Sequence, residues 1–128
     1  MAKYLLDTTV LIDHLRGRQK VAETVIRLAR QGHELGVCCI NIAELYSGLN
    51  DNERAGAEKL IDSLDYYEIS KDIAKMAGCY RFEFARKGIT LTTSDTIVAA
   101  VAINYGAILV TANVKDYPMK EIELLQQP

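Results

Sequence analysis

Cysteine is scarce and spaced for neither bridging nor metal binding. Cys38, Cys39 and Cys79 are odd in number, two are adjacent, and no C-x-x-C spacing exists. That argues against a disulfide framework or a cysteine zinc site. Cys38 and Cys39 lie in the apolar stretch GVCCI and are expected to be small buried thiols. No charge of one sign predominates: the net charge is −2. A nucleic-acid partner would therefore have to be held by a local patch or by metal ions, not by the field of the whole molecule. No hydrophobic run is long enough for a membrane span, because the longest, around IVAAVAINYGAILV, is broken by Asn104 and Gly106. Lys3 and Asp7 interrupt the first apolar residues, so no signal peptide is expected. Internal repeats, low-complexity segments and linkers are also missing. The expectation is a cytoplasmic, single-domain chain over residues 1–128, with no membrane partner. With 49% hydrophobic and 25% charged residues, a chain this long buries roughly two-thirds of its unfolded surface and sustains its own core.

What is present alternates between apolar runs and helical patterns. Lys3–Leu6 reads as a buried strand ending at Asp7. Thr8 or Thr9 is a candidate cap for a helix to about Leu15. Gln19–Arg30 carries Val21, Val25 and Leu28 at helical spacing. GVCCI is expected as a strand, and Asn41 as the cap of a helix beginning NIAELYSGLN. Asn52–Leu64 predicts another helix, Tyr66–Ile69 a short strand, and Ser70 the cap of a long helix to Arg86. After the ITLTT loop, Ser94 is the expected cap of a helix to about Tyr105. AILVT is a strand, TANVKDYP a polar turn, and Ile122–Leu124 a weak last strand. This order predicts an α/β fold with a mostly parallel sheet.

Ligands of an open parallel sheet bind beyond the carboxyl ends of its strands. Asp7 ends the first strand. Glu44 falls in the first turn expected after GVCCI, Asp95 opens the helix that leads to AILVT, and Asp116 lies in the turn after AILVT. Each acid has a local explanation. Asp7 fits a helix cap, Asn41 and Glu44 have capping-box spacing, Asp95 favours a helix dipole, and Asp116 suits a turn. None of these explains why all four acids should share one rim. Converging carboxylates repel one another, and no Lys or Arg adjoins Asp7, Glu44 or Asp95 in sequence. A divalent cation resolves this, and hard oxygen ligands suit Mg²⁺ or Mn²⁺. Such a site supports phosphodiester hydrolysis or phosphoryl transfer. Thr8, Thr9, Thr93 and Ser94 add hydroxyls beside the acids, Ser94 equally as a cap.

The segments YLLDTTVLIDHLRG, INIAELYSGL and LTTSDTIVAAVAINYGAILVTANVKDY resemble a PIN-domain protein, and within that superfamily the VapC toxin ribonucleases. The similarity runs in order along essentially the whole chain. It implies about five mostly parallel strands with helices on both faces, and an Mg²⁺- or Mn²⁺-dependent endoribonuclease. It also implies the toxin of a toxin–antitoxin pair, a homodimer neutralised by a VapB-like antitoxin. The family's acids fall on Asp7, Glu44 and Asp95. The fourth position falls on Asp116 or Asn113, with Asp116 favoured for its charge and Asn113 kept as a ligand or positioning group. Thr9 departs from the family's pattern, which often has Asn after the D-T pair. Arg16, Arg18 and Lys20, with Arg81, Arg86 and Lys87, are candidates for RNA phosphate contacts or for an ordinary solvated face. Leu11, Leu15, Ile42, Leu45, Tyr46 and Leu49 are candidates for an antitoxin groove or for core. Other readings are a PIN nuclease of RNA processing, a non-catalytic PIN-like module and a receiver-type signalling domain. The last would need an acid pair at the first strand, where this chain ends with one.

Overall fold

Leu5 and Leu6 are adjacent, both are buried, and they serve different cores. Successive strand side chains point to opposite sheet faces, so a doubly covered strand must be apolar at every position. The computed structural model describes residues 1–128 and consists of five strands and six α-helices. In chain order they are β1 (Lys3–Leu6), α1 (Thr8–Leu15), α2 (Gln19–Arg30), β2 (Glu34–Cys38), α3 (Cys39–Ser47) and α4 (Arg54–Asp62). There follow β3 (Asp65–Tyr67), α5 (Lys71–Arg86), α6 (Thr93–Tyr105), β4 (Ala107–Thr111) and β5 (Glu123–Gln126). Short 3₁₀ turns occupy Asp51–Glu53 and Val114–Asp116. No helix is long and apolar enough to cross a membrane.

The sheet order is β3-β2-β1-β4-β5 and every neighbouring pair is parallel. One face is covered by α5 and α6, whose Ile73, Ala77, Val98 and Val101 pack on Leu5 and Leu109. The other is covered by α1 to α4, through Val10, Leu11, Val25, Leu28, Leu45 and Ala57 against Leu6, Val37 and Val110. Each fully buried Leu or Val contributes about 1.5–3 kcal/mol. From β1 the chain winds outward to β2 and β3, then returns through α5 and α6 to place β4 on the other side of β1. The switch point therefore lies between β1 and β4, where open α/β sheets form their ligand crevice.

Two glycines make this geometry possible. Gly106 caps α6 with φ 66°, a left-handed conformation that admits an immediate turn into β4. Gly36 in β2 lies under the Tyr67 ring of β3; a Cβ there would stand 2.5 Å from Tyr67 Cε2.

The fold class agrees with the sequence-based expectation, and several boundaries differ. β2 stops at Cys38, and GVCCI is not a continuous strand: α3 begins at Cys39. The cause is the buried Asn41 side chain, whose Oδ1 accepts from Cys38 N–H at 3.2 Å and from Cys38 Sγ at 3.3 Å. Asn41 thus occupies the third helical position of a capping box, with a thiol in the hydroxyl's place, and is not the cap. Glu44 consequently sits in the second turn, and its expected pairing with an Asn41 cap does not occur. Cys39 is exposed, although Cys38 is buried. Asp7, not Thr8 or Thr9, caps α1, and Thr92, not Ser94, caps α6. β3 begins one residue early and ends at Tyr67, where its pairing with Cys38 ends.

Candidate active site: an acidic rim at the switch point

Asp7 follows the last residue of β1 and its backbone N–H still donates to the Val110 carbonyl at 3.0 Å, so the sheet fixes its main chain. Its side chain is only 6% exposed. Oδ1 accepts from Thr8 N–H at 2.8 Å, the helix cap. Oδ2 accepts from the Thr111 hydroxyl at 2.7 Å and from the Tyr117 hydroxyl at 3.0 Å. A buried carboxylate without a cationic partner is tolerable because donors surround it.

Asp95 is the third residue of α6, and its backbone N–H donates to the Thr92 hydroxyl at 3.1 Å. Tyr117 Oη lies 3.4 Å from Asp95 Oδ1, so one phenol stands between two acids. Burial raises the Asp95 carboxyl above the ordinary carboxylate range; the Thr92 hydrogen bond opposes this, and the charges of Asp116, Asp7 and Glu44 add to it. Burial, with Asp7 and Asp95 beside it, raises the Tyr117 phenol far above its usual value, so it stays a neutral donor.

Glu44 is exposed on α3, and its Oε1 accepts from the Thr8 hydroxyl at 2.8 Å. Asn41 Nδ2 reaches the same hydroxyl at 3.5 Å. Asp116 ends the 3₁₀ turn after β4, close enough for its charge to act on Asp95 and Tyr117. The four acids thus face one electrostatic neighbourhood. The ion pairs of the chain are Arg16–Glu53, Arg18–Asp13 and Arg54–Asp51, and none involves a rim acid. No three His, Cys, Asp or Glu side chains stand close enough together to form a ready-made metal-binding group.

The supporting polar residues divide. Thr8 joins the rim through Glu44. The Thr9 hydroxyl is buried without a partner. Ser94 Oγ is 3.3 Å from the Thr92 hydroxyl, on the cap of α6. The backbone N–H of Asn113 donates to the Thr111 hydroxyl at 3.0 Å, which makes Asn113 part of the turn that supports Thr111. Sequence reasoning did not single out Thr111 or Tyr117, which contact Asp7, and read Asn41 only as a cap. Thr111 had a signal: like Asp7, it is a polar residue ending an apolar strand. Tyr117 had none, because its contact with Asp7 spans 110 positions and depends on the turn at Val114–Asp116.

The basic residues are unequal. Arg16 and Arg18 are engaged by Glu53 and Asp13. On α5, Arg81 Nε donates to the Leu91 carbonyl at 3.0 Å and borders a groove of about 520 Å³ with Phe82 and Thr93. Arg86 lies 5.7 Å from the Phe82 ring centroid and Lys87 5.4 Å from that of Phe84. Of the expected groove residues, Leu11 and Leu45 are fully buried core. Leu15, Ile42, Tyr46 and Leu49 are half-buried against that core.

The family model described as PIN domain matches residues 4–120. "Ribonuclease VapC19" of Mycobacterium tuberculosis is 32% identical over 117 residues, covering 90% of this chain and 92% of that protein. "Ribonuclease VapC2" of Haemophilus influenzae is 28% identical over 122 residues, covering 91% of each. Among solved structures, VapBC2 from Rickettsia felis, bound to a promoter DNA fragment, superposes with a TM-score of 0.86 at 21% identity over 98% of this chain and 99% of that one.

Proposed function

The chain belongs to the PIN-domain family, and from that premise we propose that it is a divalent-metal-dependent endoribonuclease acting as the toxin of a toxin–antitoxin pair. One observation carries the chemistry: a single hydroxyl, that of Tyr117, stands 3.0 Å from Asp7 and 3.4 Å from Asp95, Glu44 and Asp116 lie around the same rim, and no Lys or Arg pairs with any of the four. Carboxylates gathered so, without protein counter-charge, fit a hard cation such as Mg²⁺ or Mn²⁺. Asp7, Glu44, Asp95 and Asp116 would hold it, with Asn113 at the edge of the same turn. Bound there, the cation supplies Lewis acidity toward a water and a phosphoryl oxygen.

The chain's own residues set the stage. Thr111 and Tyr117 fix Asp7, Thr8 orients Glu44, and the cap at Thr92 sets the first turn that carries Asp95. Arg81 on α5 is suited to RNA phosphates, because it borders a groove that reaches Thr93 at the start of α6, and Arg86 and Lys87 add positive charge at the end of the same helix. In-line attack by water, with the 3′-oxygen leaving, yields 5′-phosphate and 3′-hydroxyl ends. The VapBC relatives support a VapB-like antitoxin as partner, and a homodimer in the cytoplasm completes the reading.

The test is cleavage of a mixed RNA panel with Mg²⁺, Mn²⁺ or EDTA, beside Asp95→Asn purified identically. Metal-dependent cleavage that the variant lacks, with 5′-phosphate products, is the expected result. Cyclic 2′,3′-phosphate ends, or equal cleavage by the variant, would overturn the mechanism.

A further inference from the structure

We propose that Tyr117 is a positioning residue of the acidic rim: its hydroxyl locks Asp7 in one orientation and leaves Oδ1 as the only oxygen of that carboxylate free to take a ligand. The role rests on the cation-binding reading above and follows from an accounting of lone pairs. A carboxylate has about four acceptor positions, two on each oxygen. Oδ2 of Asp7 accepts from Thr111 at 2.7 Å and from Tyr117 at 3.0 Å, so both of its positions are taken. Oδ1 accepts only from Thr8 N–H at 2.8 Å and keeps one.

Tyr117 has a single hydroxyl proton to give. The contact to Asp7 at 3.0 Å is a normal O–H···O hydrogen bond; that to Asp95 Oδ1 at 3.4 Å is longer than such bonds usually are. The proton therefore goes to Asp7, and the phenol oxygen stands as a spacer before Asp95. The ring cannot drift: it is 3% exposed, packs in the α5/α6 core and follows a turn closed by Tyr117 N–H donating to the Val114 carbonyl at 3.1 Å. That turn also carries Asp116, so one local structure places one acid and orients another. Without the hydroxyl, Oδ2 regains an open position, Asp7 gains a second way to ligate, and nothing spaces it from Asp95.

The experiment is calorimetric titration of the full-length protein with Mn²⁺, comparing wild type with Tyr117→Phe, which keeps the ring. RNA cleavage is then measured against Mn²⁺ and RNA separately. Partners that orient metal ligands typically matter roughly 10–100-fold in affinity. The expected result is Mn²⁺ binding weakened by about tenfold or more, with KM for RNA at saturating Mn²⁺ held within about twofold. A merely structural role would lower thermal stability in EDTA without moving Mn²⁺ affinity. Affinity in folded Tyr117→Phe within about twofold of wild type would overturn the proposal. Wild type that binds no Mn²⁺ would instead overturn the cation-binding reading and this role with it. If Tyr117→Phe does not fold, Thr111→Ala removes the other donor on the same oxygen; unchanged Mn²⁺ affinity there overturns the proposal equally.

Discussion

The Thr8 hydroxyl donates to Glu44 Oε1 at 2.8 Å and so ties the first turn of α1 to α3 across 36 positions. Glu44 is exposed and has no cationic partner, so this bond is what restrains its carboxylate at the rim. Thr8→Val is expected to lower RNA cleavage at limiting metal by roughly tenfold, the low end for a residue that orients a metal ligand. Thr8→Ser should restore most of the loss. Initial rates across a Mg²⁺ series check this; a Val variant with an unaltered Mg²⁺ dependence would remove Thr8 from the site.

The pH dependence of metal-free stability follows from Asp95. Its carboxyl is raised in the folded state, first by burial and then by the charges of Asp116, Asp7 and Glu44, against the Thr92 hydrogen bond. A carboxyl raised on folding binds its proton more tightly when folded. Its contribution is therefore most favourable below the ordinary carboxylate pKa and is lost as pH climbs through the window up to the raised value. In EDTA, Asp95→Asn should flatten the fall in melting temperature across that window and melt higher at pH 7. Thermal unfolding from pH 4 to pH 8 decides it, and parallel curves for the two proteins would refute the assignment.

Gly36→Ala tests the packing of β2 against β3. A Cβ there would stand 2.5 Å from Tyr67 Cε2 and 3.1 Å from the Asp65 carbonyl oxygen, and the second contact is backbone that cannot swing away. Overpacking of this kind costs about 1–3 kcal/mol. Urea unfolding should show that loss, and Tyr67→Leu in the same chain should recover part of it by removing the ring.

Asn41→Leu keeps the branching and heavy-atom count of the side chain, in bulkier methyl groups, and removes the acceptor that closes the start of α3. The Cys38 backbone N–H, buried and bonded to Asn41 Oδ1 at 3.2 Å, is then left unpaired. The expected loss is about 1–3 kcal/mol of stability. Hydrogen exchange at Cys38 should accelerate with it, whereas amides in α5 should keep their relative protection.

The sheet, and the positions of Asp7, Asp95 and Asp116 at its carboxyl edge, were legible because strand runs and helix periods are local properties, whereas Glu44 falls one turn later than expected. The rule that places ligands beyond strand ends turned those runs into a rim. What escaped was decided by contacts at long range. Asn41 looked like a cap because capping preferences are read from neighbours, yet it is drawn inward, with no exposure, to close the turn at Cys38. Ser94 looked like the cap of α6, yet Thr92 holds that place through its bond to Asp95 N–H. The roles of Thr111 and Tyr117 exist only after β4 is inserted beside β1, and no window of sequence contains both partners.

That late insertion has a consequence in time. Asp7 leaves the ribosome well before the hydroxyls that orient it, which lie 104 and 110 positions later. Domains emerge from the N-terminus, and β4 has to pass into the sheet beside β1 before these bonds form. A nascent chain that has displayed α1 through α6 therefore carries Asp7, Glu44 and Asp95 without the groups that set the first of them. The orientation of Asp7 is therefore settled only once β4 and the turn after it have been made and docked.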